Sequence, residues 1–383
     1  MRRLLPLILL ALIPVPSTAL ADGCPLPCSG QSSSPAGSKL LFVQPAGPGG
    51  PLVVYDTRTR ARRFSLPPGM ASADGQGYFS ARVTHRGTRL SQYYAPNGEL
   101  MNTWLQPGRW TLGGVSPTGR WVALTHRRPG TTTVRIFDVG RGRLAHVMQL
   151  NGAFEVETVS RDGKRLFLIQ HLADKRYNVR QYDLSHERLV ARPLRAAGVK
   201  IMAGYAWSGV ASPDGRWLLT LYLSTQRKSA FVHSLNLRRS RPACINLPSG
   251  RGSFTKLKNY SLSLSPDSRV LFAANPTLGV VAEVDLEGSR VFRVTRFGRS
   301  SAPTTAPRAA TLSTISRNSR TLYFSAGRDL WAFDAAYGRV RGPYATGGEI
   351  VGVGYGTNDR RLFAVRTDGR MLAFNAATGR RIA

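Results

Sequence analysis

The chain has 383 residues, 42% of them hydrophobic and 19% charged, which is the composition of a folded protein and not of a disordered one. Its charge is lopsided: 53 Lys and Arg against 21 Asp and Glu leave a formal +32, a balance that favours anionic partners. No apolar run reaches the ~18 residues a membrane-spanning helix needs, which argues against an integral helical membrane protein.

In chain order, Arg2 and Arg3 precede an apolar run from Leu4 to Ile13, and Ala19-Leu20-Ala21 offers small residues at both cleavage positions. This is the pattern of a secretory signal peptide over residues 1–21, cleaved after Ala21. The mature chain is therefore expected to be secreted or periplasmic. A lipid anchor on Cys24 ranks second, because Asp22 and Gly23 stand where a lipobox has Leu-Ala/Ser-Gly/Ala. Residues 22–33 form a leader carrying Cys24 and Cys28. Two prolines between these cysteines favour extension at ~3.1 Å per residue, too long for a bridge unless the chain turns. Cys244 is the other candidate partner.

From residue 34 to 383 one turn recurs at steps of 38 to 53 residues. It reads Ser34-Pro-Ala-Gly37, Ser72-Ala-Asp-Gly75, Ser116-Pro-Thr-Gly119, Ser160-Arg-Asp-Gly163, Ser212-Pro-Asp-Gly215, Ser265-Pro-Asp-Ser268, Ser316-Arg-Asn-Ser319 and Gly356-Thr-Asn-Asp359. Pro presets φ at the second position and Gly accepts a positive φ at the fourth. A short apolar strand follows most of these turns, as in Trp121-Val-Ala-Leu124 and Trp217-Leu-Leu-Thr220. A third strand ends in Asp or Asn, as in Val54-Tyr-Asp56 and Glu283-Val-Asp285, and a fourth closes most modules. With the apolar segment before each turn, this predicts four short strands per module and no helical periodicity. Such units bury both faces only by stacking around an axis. The fold class is an all-β propeller of four-stranded antiparallel blades, eight by repeat count, with seven as the alternative. Strand exchange between the termini is expected to close the ring.

The stretch Leu264-Ser-Pro-Asp-Ser-Arg-Val-Leu-Phe-Ala-Ala-Asn275, continuing to Val284-Asp285, resembles the YVTN/YncE-type repeat. The Ser-Pro-Asp-Gly turns are similar to the WD40-like repeats of TolB-type propellers. The resemblance implies a propeller fold and export; it carries little about function.

No H-E-x-x-H, G-x-S-x-G, P-loop or C-x-x-C motif occurs, so the sequence names no catalytic residue, metal site or cofactor. His85 and His126 read as surface residues near strand ends. His171, Asp174 and Lys175 share one loop of the fourth module, either a binding-site rim or a solvated loop. Tyr205 and Trp207 lie in the strand expected to line the axial channel, near its mouth. The repeated Asp/Asn suggests a ring of acidic ligands or, more simply, side chains that start turns by accepting from backbone amides. Basic residues do not interleave with aromatics as a single-strand nucleic-acid platform requires. They follow two classes of turn on one face of the disc, led by Arg58, Arg60, Arg62, Arg63, Arg141, Arg143, Arg238, Arg239 and Arg241, and the opposite face is expected to be more neutral. The chain therefore reads as an exported, non-enzymatic binding protein or scaffold. Its partner would be an anionic polymer, a membrane surface or another protein. The alternatives are a lactonase-like or quinoprotein-like propeller enzyme and a passive structural surface protein.

Overall fold

The computed structural model describes residues 39–44, 50–199, 202–224, 228–250, 253–299 and 312–382. The expected signal peptide and leader, with Cys24 and Cys28, and the expected Ser34–Gly37 turn lie outside the described residues. The rest forms eight consecutive antiparallel sheets, the blades of a ring. Strands a to d run outward from the axis, as in blade 6: Ser261–Leu264, Val270–Asn275, Val280–Asp285 and Arg290–Arg296. Blade 1 shows three strands among the described residues, Leu40–Val43, Pro51–Asp56 and Arg62–Pro68. Eight blades settle the count. Among the described residues neither terminus lends a strand to the other's sheet at the seam between blades 1 and 8; the residues before Lys39, on which the expected exchange would fall, lie outside them. That seam closes by packing: Leu41, Val43 and Tyr55 of blade 1 share a cluster with Phe363, Val365 and Met371 of blade 8.

Burial follows this geometry. There are eight buried apolar clusters, and each fills one seam between neighbouring blades. Strand b faces a neighbour on both sides, so Trp217–Ser224 is buried at every position. Its Leu219, Leu221 and Leu223 join the seam with blade 6, while Leu218 and Tyr222 join the seam with blade 4. Outer strands alternate instead, as in Arg290–Arg296, where exposed and half-buried residues succeed one another.

The a–b turns of blades 2 to 7 are organised around the serine, whose place Gly356 takes in blade 8. Ser160 Oγ accepts from the Arg165 N–H at 3.0 Å and donates to Asp162 at 2.5 Å; the Asp162 carboxylate accepts from the Lys164 N–H. The same set recurs at Ser72 and Asp74, at Ser265 and Asp267, and, with an amide, at Ser316 and Asn318. The hydroxyl thus satisfies the first amide of strand b where the backbone has no partner to offer.

Blade 4 departs from the pattern. Its inner strands Ala153–Val159, Arg165–His171 and Arg176–Asp183 are regular, but the outer position is broken. Arg188–Leu189 covers one end of the third strand, Leu194 bridges Val179, and Met202–Ala203 covers the other end.

Candidate functional site

The connectivity assigns two faces. The a–b and c–d turns lie on one, here called lower, and the b–c and d–a loops on the other, the upper. The predicted cationic set falls in lower-face c–d turns: Arg58, Arg60, Arg62 and Arg63 on blade 1, Arg141 and Arg143 on blade 3, Arg238, Arg239 and Arg241 on blade 5. All but the half-buried Arg60 are exposed. The intervening c–d turns Ala95–Glu99 and Leu184–Glu187 carry no arginine, but a–b turns on the same face add exposed Arg120, Arg161 and Lys164 between the clusters of blades 3 and 5. Some of this charge is shared: Arg141 Nε lies 3.8 Å from Asp138, and Arg239 Nη1 lies 3.5 Å from Glu287.

The upper face, expected to be the more neutral of the two, also carries cations. Exposed Arg86, Arg109, Arg127, Lys175, Arg328 and Arg370 all occupy its loops or strand ends. The expectation rested on three uncharged loops, whereas the cations come from the remaining b–c and d–a connections.

The third-strand acids cap turns. Asp56 accepts from the Arg58 and Thr59 N–H groups at 2.8 and 3.2 Å, and Asp183 from those of Ser185 and His186. Asn236 and Asn375 do the same with amides. These backbone hydrogen bonds help hold the Asp56 and Asp183 carboxyls below their ordinary range. Among the described residues no group of three or more His, Cys, Asp and Glu side chains is placed to hold a metal ion.

The densest polar arrangement is at the upper mouth, around strand a of blade 4. Glu155 Oε2 lies 3.2 Å from His171 Nε2 and 3.7 Å from Arg127 Nη2. A cavity of about 520 Å³ opens on one side of Glu155, lined by Val83, Arg109, Trp110, His126 and Arg127 among others. The Arg135 guanidinium lies 4.2 Å from the Trp110 ring centroid. On the other side of blade 4, His171 and Tyr205 line a cavity of about 160 Å³ together with Lys175, Tyr177 and Tyr222. Asp174 lies further out, paired with Arg176 at 3.2 Å on the rim of a third cleft of about 1000 Å³, left open beside the broken outer strand of blade 4. Cys244 also lines that cleft, and burial pushes its thiol up to about 11. The structure thus brings His171 and Tyr205 together and keeps Asp174 near; Trp207 does not line that cavity, although its ring and that of Tyr205 both pack on Phe254, at 5.8 and 6.2 Å.

Four residues that matter here escaped the sequence reading: Arg127, Glu155, Glu157 and Tyr177. Glu157 is buried, and its Oε2 has no hydrogen-bond partner. Burial, assisted by the charge of Glu155, pushes its carboxyl up to about 8. A signal for it existed. In a chain so short of acids, Phe154-Glu-Val-Glu157 sets two carboxylates two residues apart in an innermost strand.

No protein-family profile matches the chain, and no curated protein sequence matches it. Solved structures do resemble it. The structure of dihydro-heme d1 dehydrogenase NirN in complex with DHE superposes with a TM-score of 0.56 at 16% identity, covering 92% of this chain and 74% of that one. The structure of the Dos1 propeller superposes at 0.54 with 9% identity, covering 90% of each chain. At such identities the likeness shows the fold alone: an eight-bladed β-propeller.

Proposed function

We propose that the chain is an exported, non-enzymatic β-propeller that engages an anionic polymer or anionic surface of the cell envelope or its surroundings. The observation that carries this reading is the state of the charges on the lower face. Its arginines project from turns, while acids such as Asp56 and Asp183 are engaged in hydrogen bonds to backbone amides. Clusters on blades 1, 3 and 5 suit an extended polymer that touches several turns better than a small ligand that needs one pocket. Export rests on the Arg2–Ala21 pattern, and a YVTN/YncE-type membership on the Leu264–Asn275 repeat.

Heparin tests the reading. Affinity should fall linearly in log–log terms between low and moderate salt, as counterion release requires, and should drop about tenfold or more when Arg58, Arg60, Arg62 and Arg63 are replaced by Ser. Binding that ignores both salt and these substitutions would sink it.

A second reading, an enzyme of the lactonase or quinoprotein sort, draws on the polar upper mouth with Glu155, His171 and Arg127. A cofactor absorption band or a tightly bound metal in the purified protein would select it.

A further inference from the structure

The seam between blades 4 and 5 is built differently from its neighbours. The inner strands Ala153–Val159 and Tyr205–Ala211 approach one another less closely than Tyr205–Ala211 and Ser261–Leu264 do across the next seam. Aromatic rings occupy the gap: Tyr177 stacks on Tyr222 at 4.7 Å, and Tyr222 on Phe231 at 5.5 Å. The 160 Å³ cavity opens above this stack, on the upper face.

Three features define what the cavity accepts. The first is a donor without an acceptor. Tyr177 is 3% exposed, its hydroxyl has the Tyr222 hydroxyl as a donor-side neighbour but no acceptor within hydrogen-bond distance among the described residues, and burial holds the phenol protonated. A buried polar group of that kind gains by meeting a ligand oxygen. The second is the sign of the wall. Lys175, whose ammonium lies 4.2 Å from the Tyr205 ring centroid, Arg176 and His171 line it, and among the described residues no carboxylate does. Glu155 stands behind His171 with its charge shared between His171 and Arg127, and the Glu157 carboxyl is largely protonated at neutral pH. The third is size. Drug-sized ligands occupy roughly 300–1,000 Å³, so this cavity suits a much smaller molecule. Ile169 and Leu172 give that molecule an apolar side to rest on.

We propose that this cavity is a binding site for a small carboxylate, with one carboxylate oxygen accepting from the Tyr177 hydroxyl and its charge balanced by Lys175. The site is separate from the lower-face arginines and stands or falls independently of polyanion binding.

Thermal unfolding of the mature chain in acetate, glycolate or benzoate, at ionic strength fixed with sodium chloride, tests it. The neutral amides acetamide, glycolamide and benzamide serve as isosteres. At least one carboxylate should raise the midpoint in a saturating manner, as a ligand selective for the native state does, while its amide should not. Tyr177→Phe should weaken that response at least tenfold and Lys175→Gln by a smaller factor. The Arg58, Arg60, Arg62 and Arg63 to Ser variant should keep it in full. Tyr177→Phe deletes a hydroxyl that has no acceptor, so it should unfold no lower than the parent, and a lost response then reports lost binding. A midpoint that no carboxylate moves more than its amide does, or a response of equal size in Tyr177→Phe, overturns the proposal.

Discussion

At the scale of the residue, the recurring turn carries more information than its backbone preference. Pro and Gly account for the turn, but the serine is explained by its hydroxyl, which accepts from the amide five residues on and donates to the acid two residues on. The fourth position needs a left-handed backbone throughout: Gly163 has φ of 72°, and Ser268, Ser319 and Asp359 adopt 57°, 59° and 53°. For an L-residue that conformation costs about 1–2 kcal/mol, against about 0.5–1 kcal/mol of extra chain entropy lost by glycine. Ser268→Gly should therefore stabilise the fold slightly, by up to about 1 kcal/mol. Gly163→Ala should do the reverse by more than that, since a Cβ at that position meets the Trp121 ring at 2.3 Å. Urea midpoints at unchanged slope check both; if the two substitutions shift the midpoint in the same direction, backbone conformation is not what selects this residue.

At the scale of the element, the strand pattern was legible because seams between blades demand it. A strand b with a continuous buried stretch and an alternating strand d are direct consequences of two buried faces and one. Trp217, 4% exposed in the seam with blade 6, follows from this logic. Trp217→Ala should cost roughly 3–5 kcal/mol, read as a lowered melting midpoint; an unchanged midpoint would remove that side chain from the core. The mouth was less legible, and the reason is register. A bulge between Ala206 and Ser208 interrupts strict alternation, and Trp207 packs toward blade 6 while Tyr205 lines the upper cavity. A second bulge, between Val156 and Thr158, inserts Glu157 as an extra residue into the strand. An added residue of this kind leaves no mark in a period-two pattern. The broken outer strand of blade 4 is likewise invisible in sequence, because three short pieces replace one strand without altering the turns that define the repeat.

At the scale of the whole molecule, the ring buries Glu157 and His233 in uncharged form, and these shape stability against pH. Burial and Glu155 raise the Glu157 carboxyl to about 8, from an ordinary 4.5; burial alone lowers the His233 imidazole to about 4, from 6.5. The raised carboxyl makes the native state bind more protons than the unfolded chain between these limits, so its contribution is complete below about pH 4.5 and is lost as pH rises toward 8. The depressed imidazole acts in the opposite sense, with its contribution complete above about pH 6.5 and lost as pH falls toward 4. Between 4.5 and 6.5 the two slopes oppose each other. Stability should therefore be nearly flat from about pH 4.5 to 6.5 and decline on both sides of that range. The acid side is steepened by Asp56, Asp162, Asp183 and Asp267, whose carboxyls are held below their ordinary range. Glu157→Gln keeps the side-chain volume and removes the titration. It should flatten the alkaline limb, raise stability at pH 8 by an amount on the order of a few kcal/mol, and leave the His233 slope uncompensated, so that stability rises up to about pH 6.5. Urea unfolding from pH 4 to 9 decides the matter. A variant whose profile runs parallel to the parent across that range would show that Glu157 is not held neutral between blades 4 and 5.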